Sequence, residues 1–339
     1  MKNCVFSIIM PCYNSEEYVS AAIDSVVNQT YHDWELIIIN DGSQDNTLNI
    51  INGYAANDDR VKVFSKENGG YSTAVNMGVD HITGDYFMFL GSDDYLSVDL
   101  FKHIHDQIEE MENRPDCIAF RTRLVKDGVV GKLDSYTKFT SIQLAECTLK
   151  EYIDHYPQHA EIFSVRDTSK CYSRKLLGDL RYFGRTGMDA DGIFSMLICH
   201  KANSFCSIPF DGYYWTIRSD SVSATESLPK TLDRLSNWME FFKILTDVYP
   251  TEITATEKQY FEFYIQFILN FARKSSNAFR RHGLVKKYAG FAISVQNKMH
   301  IEVNQYLKFA KNTPVLLSFY LSLYEKYKSV KKMCMKKSR

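Results

Sequence analysis

A chain of 339 residues has room for two modest domains, or for one domain with a substantial extension. Its 45% hydrophobic and 24% charged residues are those of an ordinary globular protein. A formal net charge of −1 excludes a global electrostatic pull toward nucleic acid or an anionic membrane.

The eight cysteines (Cys4, Cys12, Cys117, Cys147, Cys171, Cys199, Cys206 and Cys334) are scattered, with no C-x-x-C pair and no histidine at zinc-ligand spacing. Free thiols in a reducing cytoplasm fit this usage best. Met1-Lys2 and the apolar residues 5–10 have the outline of a signal peptide. The run is too short, however, and Pro11, Asn14, Glu16 and Glu17 stand where a cleavage site would be, so it reads as a first strand. No stretch approaches about 20 consecutive apolar residues, so no membrane span is expected.

In chain order, residues 5–10 read as a buried strand and 15–29 as a helix with Tyr18, Ala22 and Val26 on one face. A second strand covers 34–39, and a helix over 45–56 buries Leu48, Ile51 and Ala55. Residues 61–64 give a short strand. Gly69-Gly70 opens a helix carrying Ala74, Met77 and Gly78. A strand over 86–90 follows, and Ser97 is expected to cap a helix with Ile104, Ile108 and Met111 at helical spacing. Strands alternating with helices predict an α/β fold built on a mostly parallel, doubly wound sheet. From 117 to 223 the pattern is less regular, with strands at 117–124, 204–208 and 213–217 around one helix at 191–200. Beyond Leu228, residues 232–248, 257–274 and 303–333 read as helices rich in Phe and Tyr, and a loose boundary falls at 222–230, where Ser, Thr and Pro cluster.

Three polar sites fall at the carboxyl ends of these strands: Pro11-Cys12-Tyr13-Asn14, Asn40-Asp41-Gly42-Ser43 and Asp93-Asp94. Each alone is a common turn with a helix cap. All three at one sheet edge, where such folds carry ligands, point to a binding site. Within "FLGSDDYL" the adjacent Asp93 and Asp94 would repel by about 1 kcal/mol at ~4 Å in water and more near an interior, so something positive must compensate them.

"SIIMPCYNSEEYVSAAIDSVVNQTYHDWELIIINDGSQDNT" resembles the opening of the family 2 glycosyltransferases, and "ENGGYSTAVNMGVDHITGDYFMFLGSDDYL" is similar to the next block of that family. The resemblance is dense over residues 5–100 and returns in "GMDADGIFSMLI" and "GYYWTIRSDSVS". It implies a GT-A fold with a C-terminal helical extension, and transfer of a sugar from a nucleotide diphosphate with inversion. Asp41 is then the carboxylate facing the uracil ring of a UDP-sugar. Pro11, Tyr13, Asn14, Gly70 and Asp93 complete the nucleotide site, and Asp93 with Asp94 holds Mn²⁺ or Mg²⁺ against the diphosphate. Two departures stand out: Gly91 replaces the first carboxylate of Leu-Asp-x-Asp-Asp, and Val75 stands where many relatives have Arg.

Inverting transfer needs a base for the acceptor hydroxyl. Asp191 reads locally as a helix cap. The resemblance makes it the base, with Ala190 in place of the usual Glu, and Asp189 is the second choice. Asp189, Trp215 and Arg218 are further candidates for contacts to acceptor or diphosphate, against a reading of Tyr213, Tyr214 and Trp215 as core. No phosphate loop or dinucleotide fingerprint is present. His103 and His105 face apart on their helix and make poor joint ligands.

The expected organisation is a GT-A domain over 1–225 (a nucleotide-sugar half, 1–125, and an acceptor half, 126–225), then a helical region over 226–339. Residues 314–339 add an apolar aromatic stretch to a basic run from Lys326 to Arg339, which reads either as a solvated helix end or as a peripheral membrane contact. The resemblance implies a hexosyl- or N-acetylhexosaminyl-transferase in bacterial surface-polysaccharide synthesis. It would be cytoplasmic or peripheral on the inner face of the membrane, act on a saccharide or lipid-linked acceptor, and have no nucleic-acid partner. The competing class is a non-catalytic relative that binds sugar nucleotide or serves as a scaffold.

Overall fold

All seven residues of β1 (Phe6–Cys12) and all seven of β2 (Trp34–Asn40) are buried, so both strands are covered on both faces. The computed structural model describes residues 4–133, 142–144, 146–156, 166–184, 189–218, 227–251, 253–274, 279–299 and 311–312. By internal contacts the chain divides into two units, Met1–Asp233 and Arg234–Arg339.

In the first unit β3 (Val61–Ser65), β2, β1 and β4 (Tyr86–Phe89) lie side by side and all parallel. Alternate residues of β1 serve opposite layers. Phe6, Ile8 and Met10 join the core formed with α1 (Val19–Val27), α2 (Thr47–Ala55) and α4 (Leu100–Glu110). Ile9 joins the other core with α3 (Tyr71–Val79), α5 (Leu149–His155) and α6 (Ala190–His200). This doubly wound arrangement matches the GT-A expectation.

Beyond β4 the sheet continues through the strand expected at 117–124 and through others that the sequence pattern shows only in part. β9 (Lys170–Ser173) runs antiparallel between β4 and β6 (Cys117–Lys126), and β10 (Phe205–Thr216) lies parallel to β6. The two-residue β5 (Tyr95–Leu96) pairs antiparallel with β10, as does β8 (Ile142–Leu144), while β7 (Val129–Leu133) pairs with β6. The two strands expected at 204–208 and 213–217 are one strand. Pro209 and Gly212 read as breaks, but β10 absorbs the interruption as register shifts between Ile208 and Asp211 and between Asp211 and Tyr213. Ser97 is not a helix cap: α4 starts at Leu100 with Asp99 before it, and Ser97 contributes its backbone carbonyl to the Leu100 N–H.

The second unit contains most of α7 (Leu228–Val248), together with α8 (Ala255–Lys274) and α9 (Phe279–Lys298). Phe242, Phe261, Tyr264, Ile268, Tyr288 and Ala292 are among its buried residues. Thr254 and Glu257 cap α8 reciprocally, each side chain bonding the other's backbone N–H. The helix α9 has no counterpart in the sequence reading. The helix expected at 303–333 lies outside the described residues except for 311–312, which are helical, and the basic tail lies outside them entirely. No helix among the described residues is long and apolar enough to cross a membrane.

A buried carboxylate ties the amino ends of the parallel strands together. Glu35, 5% exposed, accepts through Oε1 from Ser7 Oγ at 2.5 Å, Thr83 N at 2.7 Å and Gly84 N at 3.2 Å, and Lys62 Nζ lies 2.6 Å from Oε2. Burial opposes ionisation, but the bonds from Lys62, Ser7 and Thr83 outweigh it and hold the carboxyl below its ordinary range. Because the folded-state pKa is depressed, its contribution is complete above the unfolded carboxylate range and fades as pH falls through the folded value. Glu35→Gln is expected to cost about 2–3 kcal/mol at neutral pH and to flatten the acid side of the stability profile, as read by urea unfolding between pH 3 and 7.

Candidate active site

The parallel strands deliver three polar loops to one edge. The β1–β2 ladder runs from Phe6↔Trp34 to Cys12↔Asn40, whereas β1 and β4 pair only from Phe6↔Tyr86 to Ile9↔Phe89. The Leu90 N–H closes that ladder on the Ile9 carbonyl. By strand alternation Pro11 faces β4 next and has no N–H to offer, so the strands part there.

After β2, the Asp41 carboxylate is only 4% exposed, with Oδ1 taking Lys66 Nζ at 2.7 Å and Gly69 N at 2.9 Å and Oδ2 taking Gly70 N at 2.8 Å. Gly70 can offer that N–H because it precedes α3 at φ 91°, which an L side chain would resist. Lys66 was not singled out from the sequence, since a lysine in a polar loop carries no local signal. Val75, at the position of the family's Arg, is fully buried against the sheet, so Lys66 is the cation beside Asp41. Asn14, at φ 47°, clasps the loop after β2: its N–H meets Ser43 Oγ at 3.1 Å, and its side-chain oxygen accepts from Gln44 N at 2.8 Å. Tyr13 is 46% exposed beside it.

After β4 the chain turns through Gly91 into the adjacent carboxylates. Pairing of β5 with β10 seats Asp94, whose Oδ2 accepts from the Tyr213 hydroxyl at 2.6 Å and whose Oδ1 accepts from Thr216 N at 2.8 Å. Burial, reinforced by the charge of Asp93, pushes Asp94 up to about 7, against the bonds from Tyr213 and Thr216. Asp93 lies 3.2 Å from Arg218 Nη1, and that guanidinium sits 4.1 Å over the Tyr18 ring. The compensating positive charge in this structure is thus Arg218, from the end of β10.

The two carboxylates suit a hard cation. A Cβ at Gly91 would come within 2.7 Å of Asp94 Oδ2 and 3.1 Å of Asp93 Oδ1, so these oxygens close over the position of the family motif's first carboxylate and leave no room there for a side chain. No cluster of three or more His, Cys, Asp or Glu side chains suited to a metal occurs among the described residues. Two carboxylates with substrate phosphates and water are the usual complement for Mg²⁺.

Asp191 is the second residue of α6, and Asp189, at φ 58°, occupies the cap position without a side-chain cap bond. Phe194 anchors that helix, its ring 4.6 Å from Tyr182 and 5.5 Å from Phe89. Burial and the Asp189 charge push Asp191 up to about 6, opposed by the Gly192 N–H, Arg166 and Lys170. Tyr71, at the start of α3 and 37% exposed, is held above its ordinary value by partial desolvation and by the charges of Asp167, Asp191, Asp94 and Asp93. The carboxylate pair and the start of α6 therefore lie within electrostatic reach of one side chain. Within the aromatic cluster, Tyr213 is core at 1% exposure, while Trp215 is 37% exposed with the Arg166 guanidinium 4.4 Å over its ring. Arg166, Asp167 and Lys170 escaped the sequence reading because β9, which they precede and open, is too short to show a period.

A family model described as glycosyl transferase family 2 matches residues 7–177, half of the chain. The minor teichoic acid biosynthesis protein GgaB of Bacillus subtilis (strain 168) is 26% identical over 270 residues, covering 79% of this chain and 28% of GgaB. The chondroitin synthase of Pasteurella multocida (strain Pm70) is 47% identical over 93 residues, covering 27% of this chain and 10% of the synthase. The chain thus spans less than a third of the length of either relative. Residues 1–349 of S. aureus TarS, in a crystal structure with UDP-GlcNAc, share the fold at a TM-score of 0.70 and 21% identity, over 96% of this chain and 91% of that one. The extended family match, on a doubly wound sheet whose carboxyl edge carries these acidic loops, identifies the chain as a member of glycosyl transferase family 2.

Proposed function

We propose that the chain transfers a sugar, with inversion, from a UDP-linked donor to a saccharide or lipid-linked acceptor during synthesis of a cell-surface polymer. The observation that carries this reading is the common sheet edge: Asp41 follows β2 and Asp93 and Asp94 follow β4, and β1, β2 and β4 run parallel, so the loops at their carboxyl ends converge. The solved TarS complex contains UDP-GlcNAc, and GgaB is named for minor teichoic acid biosynthesis, which supports an N-acetylhexosamine donor and a wall-polymer acceptor for this chain.

The uracil ring meets Asp41, held as a hydrogen-bond acceptor by Lys66 and the Gly69 and Gly70 N–H groups. Asp191 accepts the proton of the acceptor hydroxyl as its oxygen bonds to the anomeric carbon. The bond from that carbon to the phosphate oxygen breaks, and UDP leaves with the electron pair. A carboxylate with its pKa raised to about 6 is ionised at neutral pH yet basic enough to take that proton. Mn²⁺ or Mg²⁺, held by Asp93 and Asp94 together with the diphosphate, would neutralise charge on the leaving group. Arg218, which pairs with Asp93, would add a second positive charge beside the diphosphate.

Isothermal titration of UDP with and without Mn²⁺ tests the donor half. Asp93→Ala is expected to lose the metal-dependent part of the affinity while keeping the wild-type circular dichroism, and unchanged metal dependence would sink the assignment. The chemistry is tested separately with UDP-N-acetylglucosamine and a wall-polymer acceptor. Asp191→Asn should reduce turnover by roughly 10² to 10⁴ with donor affinity little changed. Affinity falling in step with turnover would instead make Asp191 a structural residue, and absence of any donor hydrolysis or transfer by the wild type would favour a binding module.

A further inference from the structure

One side of α3 carries a row of polar side chains that the mechanism above does not use. Ser72, Asn76 and Asp80 recur every fourth residue and so stand in line along the helix. Each bonds one residue of a segment that passes α3 in the opposite direction. Asp80 Oδ1 accepts from Arg181 Nε at 3.1 Å and from Nη2 at 2.7 Å. Asn76 holds the backbone of Tyr182 at two points: its side-chain oxygen accepts from the Tyr182 N–H at 2.8 Å, and its NH₂ group donates to the Tyr182 carbonyl at 3.1 Å. The Ser72 hydroxyl donates to the Phe183 carbonyl at 2.9 Å.

Residues 181–183 belong to no strand or helix, so their backbone groups must find partners elsewhere. A side-chain amide offers a donor and an acceptor together, the same pair that a neighbouring strand would supply. The Tyr182 N–H can only donate, and that fixes which way the Asn76 amide points.

Tyr182 is where this segment reaches the site. It is 4% exposed, its ring stacks on Phe194 of α6 at 4.6 Å, and it meets Phe89, at the end of β4, edge-on at 5.5 Å. Phe194 stands three residues after Asp191 and shares its side of the helix. At its other end α3 begins after Gly70, whose N–H donates to Asp41. The backbone of Tyr182 is thus clasped by the helix tied to Asp41, and its ring rests on the helix that begins with Asp191.

Building on the assignment of Asp191 as the base, we propose that Asn76 is a positioning residue for it: by fixing the backbone of Tyr182, Asn76 sets the ring against which the first turns of α6 pack, and so holds Asp191 in place relative to the donor site at Asp41. The link runs through the Tyr182 ring, since the Tyr182 hydroxyl has no hydrogen-bond partner among the described residues.

Hydrogen exchange read by mass spectrometry on the full chain, with no ligand added, tests the positioning directly. Asn76→Leu keeps the size of the side chain and loses both bonds. Peptides covering 189–194, which include the bond from the Ile193 N–H to the Asp189 carbonyl, should then exchange roughly tenfold faster, together with those covering 181–183, while β1 and β2 keep their wild-type protection. Release of 181–183 with unchanged exchange over 189–194 would overturn the proposal. So would faster exchange throughout β1 and β2, which marks general loosening. Should Asn76→Leu not fold, Asn76→Asp keeps the acceptor and loses the donor, and the same two outcomes decide. Tyr182→Phe should leave exchange over 189–194 at its wild-type level, and faster exchange there would overturn the assignment to the ring.

Turnover adds a second reading, taken as UDP release from UDP-N-acetylglucosamine in Mn²⁺. Asn76→Leu should lower kcat by about tenfold and leave the calorimetric affinity for UDP within about twofold, because the bond between Gly70 and Asp41 is untouched. Affinity for UDP falling in step with kcat would make Asn76 a residue of general stability and overturn the proposal. Faster exchange over 189–194 combined with full turnover in Asp191→Asn would keep the clasp and remove Asp191 as base, so the two assignments fail separately.

Discussion

Everything at the carboxyl edge depends on where the β1–β4 ladder stops. Hydrogen bonds hold these strands together through the Leu90 N–H on the Ile9 carbonyl, and two residues later Pro11 presents no donor on that side. A residue with an N–H at that position would invite β4 to run on straight. The chain instead turns at Gly91, and Asp93 and Asp94 come to lie beside the loops that follow β1 and β2. The Ser15 and Ser92 hydroxyls, 2.9 Å apart, link the first of these loops to the turn. A crevice at the carboxyl ends of parallel strands is where doubly wound sheets place ligands, and here its cause is a missing donor at one residue.

The crevice collects negative charge, and the structure balances it by three different means. Asp41 is balanced by a nearby cation and by backbone N–H groups, and it is locked in place. Asp94 is balanced by neutral donors, the Tyr213 hydroxyl and the Thr216 N–H, which help to hold it but leave its pKa raised. Asp93 is balanced by Arg218, on a side chain 22% exposed that also rests on Tyr18. Partly exposed ion pairs are worth little, so this contact adds little to stability. The fixed acceptor and the partly exposed pair are thus separated along the edge, which is the arrangement the proposed UDP-linked donor would need.

What the sequence disclosed divides along the same line as the sheet. β1, β2 and β4 are long apolar runs flanked by helices of clear period, so their order and their terminal loops could be read directly, and Asp41, Asp93 and Asp94 with them. The antiparallel half could not be read in this way. β9 is four residues long, β5 is two, and β10 contains a proline and a glycine that ordinarily end strands. Tyr213 looked like core and is core, yet its hydroxyl also serves Asp94. That second role follows only from the register Tyr213↔Leu96, a contact across more than 100 residues. Lys66 was invisible for the opposite reason: a polar residue in a polar loop has no pattern to break.

The antiparallel strands also explain why Asp191, the proposed base, is in a different electrostatic setting from Asp93 and Asp94. Asp93 and Asp94 sit on a turn from the parallel half, Asp93 partly open and Asp94 buried beside it. Asp191 begins α6, whose remaining residues are buried and whose aromatic anchor Phe194 packs against β4 and Tyr182, so the helix cannot retreat to relieve the charge at its start. Relief must come from neighbours. β9 runs opposite to β4, and therefore brings its amino end, with Lys170 and the preceding Asp167 and Arg166, to the same edge at which β4 ends. A parallel strand in that position would deliver its carboxyl end there instead, and with it a different set of side chains. The reversal of one short strand thus decides which side chains share that edge with the end of β4.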